Sequence, residues 1–238
     1  MDKLGLQEQF KCPYQSCAKY ARDILSLYQE VPYHNKYHGF SVFQISAHLM
    51  KTVTVQNIFS DLDLFSTLIA ALGHDVDHPG VNNTFLIVTD HPIAVTYNDI
   101  SPLENHHAAT CIRVILKQGK QNLFANMNPE DQKSARKFII YCILQTDMSK
   151  HSQIVSDISK QASFSANKED ERLLLASSLM HAADISNPIM PWEVSKALAE
   201  RCCVEFVEQV AKEREENVPI TTFMDIADDS QMASVNFG

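Results

Sequence analysis

An apolar run from Leu64 to Gly73, followed at once by His74 and Asp75, constrains the fold most strongly. Four residues of this segment recur at the i, i+4, i+7 and i+11 spacing of one helix face: Leu64, Leu68, Ala71 and Asp75. The segment therefore predicts a helix whose apolar stripe ends in a carboxylate. A buried carboxylate without a partner is so costly that it becomes neutral, pairs with a cation or binds a metal. The adjacent His74, with His78 nearby, makes a metal the leading explanation.

A second stripe that ends in an acid lies further along the chain. Its members are Leu173, Ser177, Met180 and Asp184. Two buried acids on different helices can share one cation, and imidazoles from the 33–38 and 74–78 segments can complete the ligand set. Two imidazoles with two carboxylates suit zinc and leave positions for water. A bridging aspartate, with further acids acting through water, suits a harder second ion such as magnesium.

Each of these residues taken singly also has an ordinary structural explanation. A lone histidine on an apolar face is more often a core residue than a ligand. Glu104 fits the third helical position of a capping box that begins at Ser101. Thr146 and Asp147 could simply close a helix. The metal interpretation therefore depends on these segments occurring together.

Helical periodicity dominates the chain. The predicted helices cover residues 15–30, 38–58, 61–75, 169–186 and 192–216, and two more begin at Ser101–Pro102 and Asn128–Pro129. No convincing alternating strand appears, and the scarcity of glycine (6) and proline (9) disfavours a turn-rich β-sandwich. We therefore predict that residues 1–238 form one compact all-α domain.

The charge and composition exclude several classes of partner. A formal net charge of −9 makes nucleic acid and anionic membranes poor partners. No apolar run approaches the length of about 18 residues that a membrane span needs. The N-terminus lacks the apolar core of a secretory signal. The six cysteines are best explained as reduced thiols of a cytoplasmic protein.

Five motifs together resemble the catalytic domain of the class I cyclic-nucleotide phosphodiesterases. They are YHNKYH at 33–38, HDVDHPGVNN at 74–83, LENHH at 103–107, TDMSKH at 146–151 and HAADISNP at 181–188. They occur in the family's order and at close to its spacing. The resemblance covers roughly residues 20–230. It implies an all-α fold of the HD/phosphodiesterase type, shortened at both ends relative to the family and lacking its C-terminal helices.

The resemblance also implies two metal ions. The zinc ligands that it implies are His38, His74, Asp75 and Asp184, with Asp75 bridging to a second ion, magnesium or manganese. His78, Glu104 and Thr146 resemble the residues that orient the waters of that second ion. His107 belongs to the same motif as Glu104 and is expected to support these three residues.

The implied reaction is hydrolysis of cAMP or cGMP, in cyclic-nucleotide signalling, to the nucleoside 5′-monophosphate. A hydroxide bridging the metals would attack phosphorus, and His34, which resembles the general acid, would protonate the leaving 3′ oxygen. A carboxylate such as Glu104 is expected to keep His34 protonated. Two alternatives stay open here: another HD-type metal phosphohydrolase such as a nucleotidase, and an inactive shortened domain with a binding role.

The purine pocket is the part of the resemblance with the most departures. The residues implied there are Tyr33, Asn83, Asn187, Cys202, Phe206 and Asn236. Asn236 stands where relatives carry a glutamine that binds the purine edge, and Gln231 is the alternative. Cys202 replaces a usually apolar wall, and the family's second clamping aromatic would follow residue 238. The sequence leaves the oligomeric state open, a homodimer included.

Overall fold

The computed structural model describes residues 10, 12–52, 57–119 and 122–226, and every regular element within these ranges is helical. The α-helices of the described chain are α1 Tyr14–Leu25, α2 Lys36–Leu49, α3 Asp61–Gly73, α4 Asn83–Val88, α5 Pro92–Thr96, α6 Pro102–Lys117, α7 Pro129–Leu144, α8 His151–Ser159, α9 Glu169–Asp184 and α10 Trp192–Glu215. Short 3₁₀ helices cover Met148–Lys150, Asn187–Ile189 and Thr222–Met224. The predicted all-α class is confirmed. None of these helices combines the length and the apolar character that crossing a membrane requires.

Helix α3 forms the centre of the core because it is apolar on every side. Each residue from Asp63 to Gly73 is buried, and α1, α2, α6, α7 and α9 pack around the helix. Its start is polar: Ser60 and Asp63 form a capping box. Arg172 Nε on α9 donates to Asp63 Oδ2 at 2.8 Å, so the buried carboxylate at the helix start has a cationic partner.

Two tyrosines donate hydrogen bonds to the last turns of α3, just before His74 and Asp75. Tyr20 on α1 donates its hydroxyl hydrogen to the Ile69 carbonyl oxygen at 3.1 Å, and Tyr28 donates to the Leu72 carbonyl oxygen at 3.0 Å. Gly39 on α2 lies against the Tyr28 ring, where an added Cβ would come within 2.4 Å of the phenol oxygen. The close approach of α2 to this tyrosine therefore requires glycine.

Two predicted helix boundaries differ from the structure near the site. Helix α3 ends at Gly73, so Asp75 lies in the following turn and not on the helix face, although it is buried as expected. The capping box predicted at Ser101 is wrong. Ser101 has a left-handed backbone (φ 42°) and makes no side-chain cap, because its hydroxyl donates instead to Asp147 Oδ2 at 2.6 Å.

Candidate metal centre and cavity

Side chains from three separate segments converge on one point. They are His38 on α2, His74 and Asp75 after α3, and Asp184, the last residue of α9. His38 Nε2 lies 2.9 Å from Asp184 Oδ1 and 3.2 Å from Asp75 Oδ2. His74 Nε2 lies 3.3 Å and 3.1 Å from the same two oxygens, and 3.2 Å from His38 Nε2. The structure thus brings all four predicted ligands together.

These spacings fit a single divalent cation. Tetrahedral ligands about 2.0–2.1 Å from zinc lie roughly 3.3 Å from one another, close to the separations of 2.9–3.3 Å found here. His74 Nδ1 lies 2.9 Å from the Ala71 carbonyl oxygen and donates to it, so Nε2 is the ring nitrogen that faces the cluster. Burial acts to raise the pKa of Asp75 and of Asp184. The charge of His74 and hydrogen bonds from His38 and His74 nevertheless hold both pKa values below the usual range.

A further buried imidazole faces the other oxygen of Asp75. His107 Nδ1 donates to the Val76 carbonyl oxygen at 2.8 Å, which makes Nε2 an acceptor. Among the described residues this Nε2 has no hydrogen-bond partner, and it lies 3.9 Å from Asp75 Oδ1. Burial lowers the pKa of His107 to about 4, so the ring is neutral. Two facing acceptors need a donor between them, and a cation-bound water fits that requirement.

His34 is paired with Glu205 on α10. Its Nδ1 makes a short hydrogen bond with Glu205 Oε1, while Glu205 Oε2 accepts the backbone N–H groups of Tyr33 at 2.9 Å and of His34 at 3.0 Å. Burial acts to lower the pKa of His34, but the charge and hydrogen bond of Glu205 outweigh it and raise that pKa to about 9. The expectation that Glu104 would fill this role is wrong, because the carboxylate of Glu104 accepts hydrogen bonds from Asn83 instead.

Asn83 and Glu104 form one unit that joins α4 to α6. Asn83 Nδ2 donates to the two Glu104 oxygens at 3.0 Å and 3.3 Å, and its Oδ1 accepts the Leu103 N–H at 2.9 Å. Both polar ends of the amide are therefore committed to α6. Burial raises the pKa of Glu104 to about 7.

A cavity of about 540 Å³ opens over these groups, a size typical of small-molecule sites. The sequence-predicted residues that line it are Tyr33, His34, Asp75, His78, Asn83, Glu104, His107, Thr146, Asp184, Cys202 and Phe206. Asn187 does not line the cavity, but its Nδ2 donates to the hydroxyl of Tyr33, which does. Asn236 and Gln231 lie outside the described residues.

Comparison with known proteins identifies the family. Residues 33–238 match the model of the family described as 3'5'-cyclic nucleotide phosphodiesterase. The chain belongs to this family. It is 35% identical over 224 residues to the high affinity cGMP-specific 3',5'-cyclic phosphodiesterase 9A of Drosophila melanogaster. That alignment covers 94% of this chain and 15% of the Drosophila protein. It is 34% identical over 236 residues to the 3',5'-cyclic-AMP phosphodiesterase 4C of Rattus norvegicus, covering 94% and 44% of the two chains.

The fold of this family member matches a solved phosphodiesterase domain. The crystal structure of the phosphodiesterase domain of the RhoPDE fusion protein from the choanoflagellate Salpingoeca rosetta superposes with a TM-score of 0.93 at 33% identity. The superposition covers 98% of this chain and 74% of that one. The chain spans less than half the length of the two curated relatives named above.

Several residues that line the cavity of this phosphodiesterase-family chain were not predicted from its sequence, among them Glu205, Gln209 and Phe223. Glu205 and Gln209 belong to a buried polar face of α10 that recurs every four residues and includes Glu213. That spacing is a helical signal, but in a charged segment it looks the same as a solvent-exposed face. Phe223 comes from the last 3₁₀ helix, and its ring centroid lies 6.0 Å from that of Phe206 at an interplanar angle of 90°. Phe223 therefore supplies the cavity with a second aromatic ring, besides that of Phe206.

Proposed function

We propose that this chain hydrolyses the 3′ phosphoester bond of a 3',5'-cyclic nucleotide and releases the nucleoside 5′-monophosphate. The observation that carries the proposal is the convergence of four ligand atoms beside the His34–Glu205 pair, at one cavity. The relatives support the substrate class, since one is named for cGMP and the other for cAMP.

The metal ligands have distinct tasks in this proposal. His38, His74, Asp75 and Asp184 would hold zinc. Asp75 would also hold the second ion, magnesium or manganese, and His78, Glu104 and Thr146, with His107 in support, would orient the waters of that ion. When bound, such cations neutralise the phosphodiester charge and lower the pKa of a water, so that a nucleophile exists at neutral pH.

His34 would provide the proton that the leaving oxygen needs. Its Nδ1 is held by Glu205, which leaves Nε2 to donate to the 3′ oxygen as the P–O bond breaks. Glu205 is itself fixed by the backbone N–H groups of Tyr33 and His34, so the acid has little rotational freedom. Without this proton the leaving group would be a strongly basic alkoxide.

The nucleoside would occupy the part of the cavity beside α10. Phe206 offers an aromatic face to the purine, and Cys202 lies one turn earlier on the same helix. Burial raises the pKa of the Cys202 thiol to about 12, so this wall is uncharged. Tyr33, held by Asn187, would close the opposite side, and Asn83 would position Glu104.

The experiment is product analysis with cAMP and with cGMP, in metal-replete buffer and after chelation. We expect the 5′-monophosphate, with no 3′-monophosphate, and loss of turnover in the chelator. His34→Ala is expected to retain zinc but to lower the rate roughly 10²–10⁴-fold. His48→Ala is the matched control, because His48 is an exposed histidine on α2.

Two results would contradict the proposal. Hydrolysis of nucleoside monophosphates but not of cyclic nucleotides would favour another HD-type phosphohydrolase. Cyclic-nucleotide binding without turnover, in protein that holds its metals, would favour a domain with a binding role.

A further inference from the structure

Two thiols face each other at the start of α1, away from the residues assigned above. The Sγ atoms of Cys12 and Cys17 lie 3.4 Å apart. All six cysteines lie in the described part of the chain, and none of them is in a disulfide there. Since a disulfide has an S–S distance of about 2.0 Å, the two sulfurs need to approach by only about 1.4 Å.

We propose that Cys12 and Cys17 form a reversible intramolecular disulfide when the protein meets a hydroperoxide. The start of α1 is then a redox modification site. The two residues close a very short loop, so the bond can form without rearranging other helices. Cys12 is 4% exposed and belongs to the main hydrophobic core, whereas Cys17 is half-buried.

The surroundings give the two thiols different roles. Cys17 lies near the start of α1 and is the more exposed thiol of the pair, so a hydroperoxide reaches it first. The hydrogen bond with Cys17, together with burial, raises the pKa of Cys12, so Cys12 is the thiol of the pair that keeps its proton. Cys17 also lines an apolar cavity of about 200 Å³ with Tyr14 and Leu68, which offers a small hydroperoxide a route to the sulfur.

The chemistry balances with the hydroperoxide as the only oxidant. The Cys17 thiolate attacks the O–O bond and becomes a sulfenic acid, while the other oxygen leaves as alcohol or water after taking a proton. The sulfur of Cys12 then attacks that of Cys17, the S–O bond breaks, and the oxygen leaves as water with the Cys12 proton. Two thiols lose two electrons in total, and a dithiol reductant reverses the change.

Cys111 and Cys142 are less accessible to an oxidant than Cys17 is. Cys111 and Cys142 are fully buried, and burial raises the pKa of each thiol to about 12. Cys111 also shares a hydrogen bond of 3.1 Å with the hydroxyl of Tyr20. Oxidation is therefore expected to select the α1 pair.

Peptide mapping tests the proposal directly, because trypsin places Cys12 and Cys17 in one peptide, residues 12–19. Native protein is treated with hydrogen peroxide, alkylated, digested and weighed by mass spectrometry. We expect peptide 12–19 to lose two hydrogens and to escape alkylation, roughly tenfold faster than any thiol loss in peptide 202–212, which carries Cys202 and Cys203. Dithiothreitol should restore both thiols, and urea should abolish the tenfold preference.

A single-cysteine variant separates the two steps. In Cys12→Ser the resolving thiol is absent, so we expect dimedone to trap a sulfenic acid at Cys17. The proposal is overturned if peptide 12–19 remains doubly alkylated while peptide 202–212 has reacted. It is equally overturned if Cys17 pairs only with a second molecule, or if urea leaves the preference unchanged.

Discussion

Replacing Glu205 by glutamine removes one charge from the proposed acid while keeping the shape of the side chain. Glu205 is 3% exposed, and its oxygens hold His34 Nδ1 and the backbone N–H groups of Tyr33 and His34. The glutamine oxygen can still accept an N–H group, so the loop should keep its position. The charge that raises the pKa of His34 is lost, and the remaining influence of burial lowers that pKa.

The size of the effect follows from the two pKa values. His34 titrates at about 9 beside Glu205, against an ordinary value of 6.5, a difference of roughly 3 kcal/mol in favour of the imidazolium. At about pH 8 a group with a pKa of about 9 is mostly protonated, whereas one at 6.5 is only about 3% protonated. Since the protonated form is the active acid, Glu205→Gln is expected to lower kcat/KM roughly thirtyfold at that pH. Near pH 6 the two proteins should differ far less.

The assay is the pH profile of kcat/KM for cyclic-nucleotide hydrolysis. Activity is lost as the pH rises through the pKa of His34, so Glu205→Gln should move the alkaline limb to lower pH. Bound cations would also lower the pKa of His34, and they would do so in both proteins. The quantity to compare is therefore the difference in the pH of the alkaline limb between wild type and Glu205→Gln. Glu213→Gln is the matched control, because Glu213 is buried on the same helix but binds Gln209 and Thr221. Superimposable alkaline limbs for wild type and Glu205→Gln would refute the reasoning.

Three other substitutions test separate parts of the structure. Gly39→Ala places a Cβ 2.4 Å from the Tyr28 oxygen, and we expect a loss of about 1–3 kcal/mol in the free energy of unfolding, measured with urea; an unchanged midpoint would contradict the packing. Asp184→Ala should abolish turnover and zinc retention, so a chelator should lower the melting temperature of wild type but not of the variant. Asn83→Ala frees Glu104 and should raise the magnesium concentration for half-maximal activity about tenfold; a magnesium titration with no shift would show that Asn83 does not position Glu104.

The helices could be predicted from local periodicity, and the convergence of His38, His74, Asp75 and Asp184 could be expected from the family motifs that contain them. The apolar run before His74 reports a helix buried on all sides, and α3 is such a helix. The prediction that Asp75 would be buried was right, although the helix stops two residues earlier. Asp75 is buried by the residues that pack around its turn, and not because the helix continues through it. Helical periodicity therefore predicted the burial of Asp75 correctly but its secondary structure incorrectly.

The pairing of His34 with Glu205 could not be predicted, because the two residues lie 171 positions apart in the sequence. Nothing near Glu205 in the sequence distinguishes it from the exposed glutamates of α10, and it is buried by packing against the segment before α2 and the turn at His78–Gly80. The position of His34 relative to α2 is fixed by a helix cap. Asn35 caps α2 by accepting the Tyr37 N–H, so His34 precedes the helix and does not share a face with His38.

Several imidazoles crowd this site, and the groups beside each one decide which of them carries a proton. His34 and His78 stack with centroids 4.1 Å apart, so two positive charges there would repel strongly. Burial and the charge of His34 hold the pKa of His78 well below its usual range, and His78 Nδ1 accepts the Gly80 N–H at 3.0 Å. Glu205 sits against His34 and raises its pKa. A single buried carboxylate on α10 thus selects one proton donor from two stacked rings, although the two histidines come from different sequence motifs and the carboxylate belongs to neither motif.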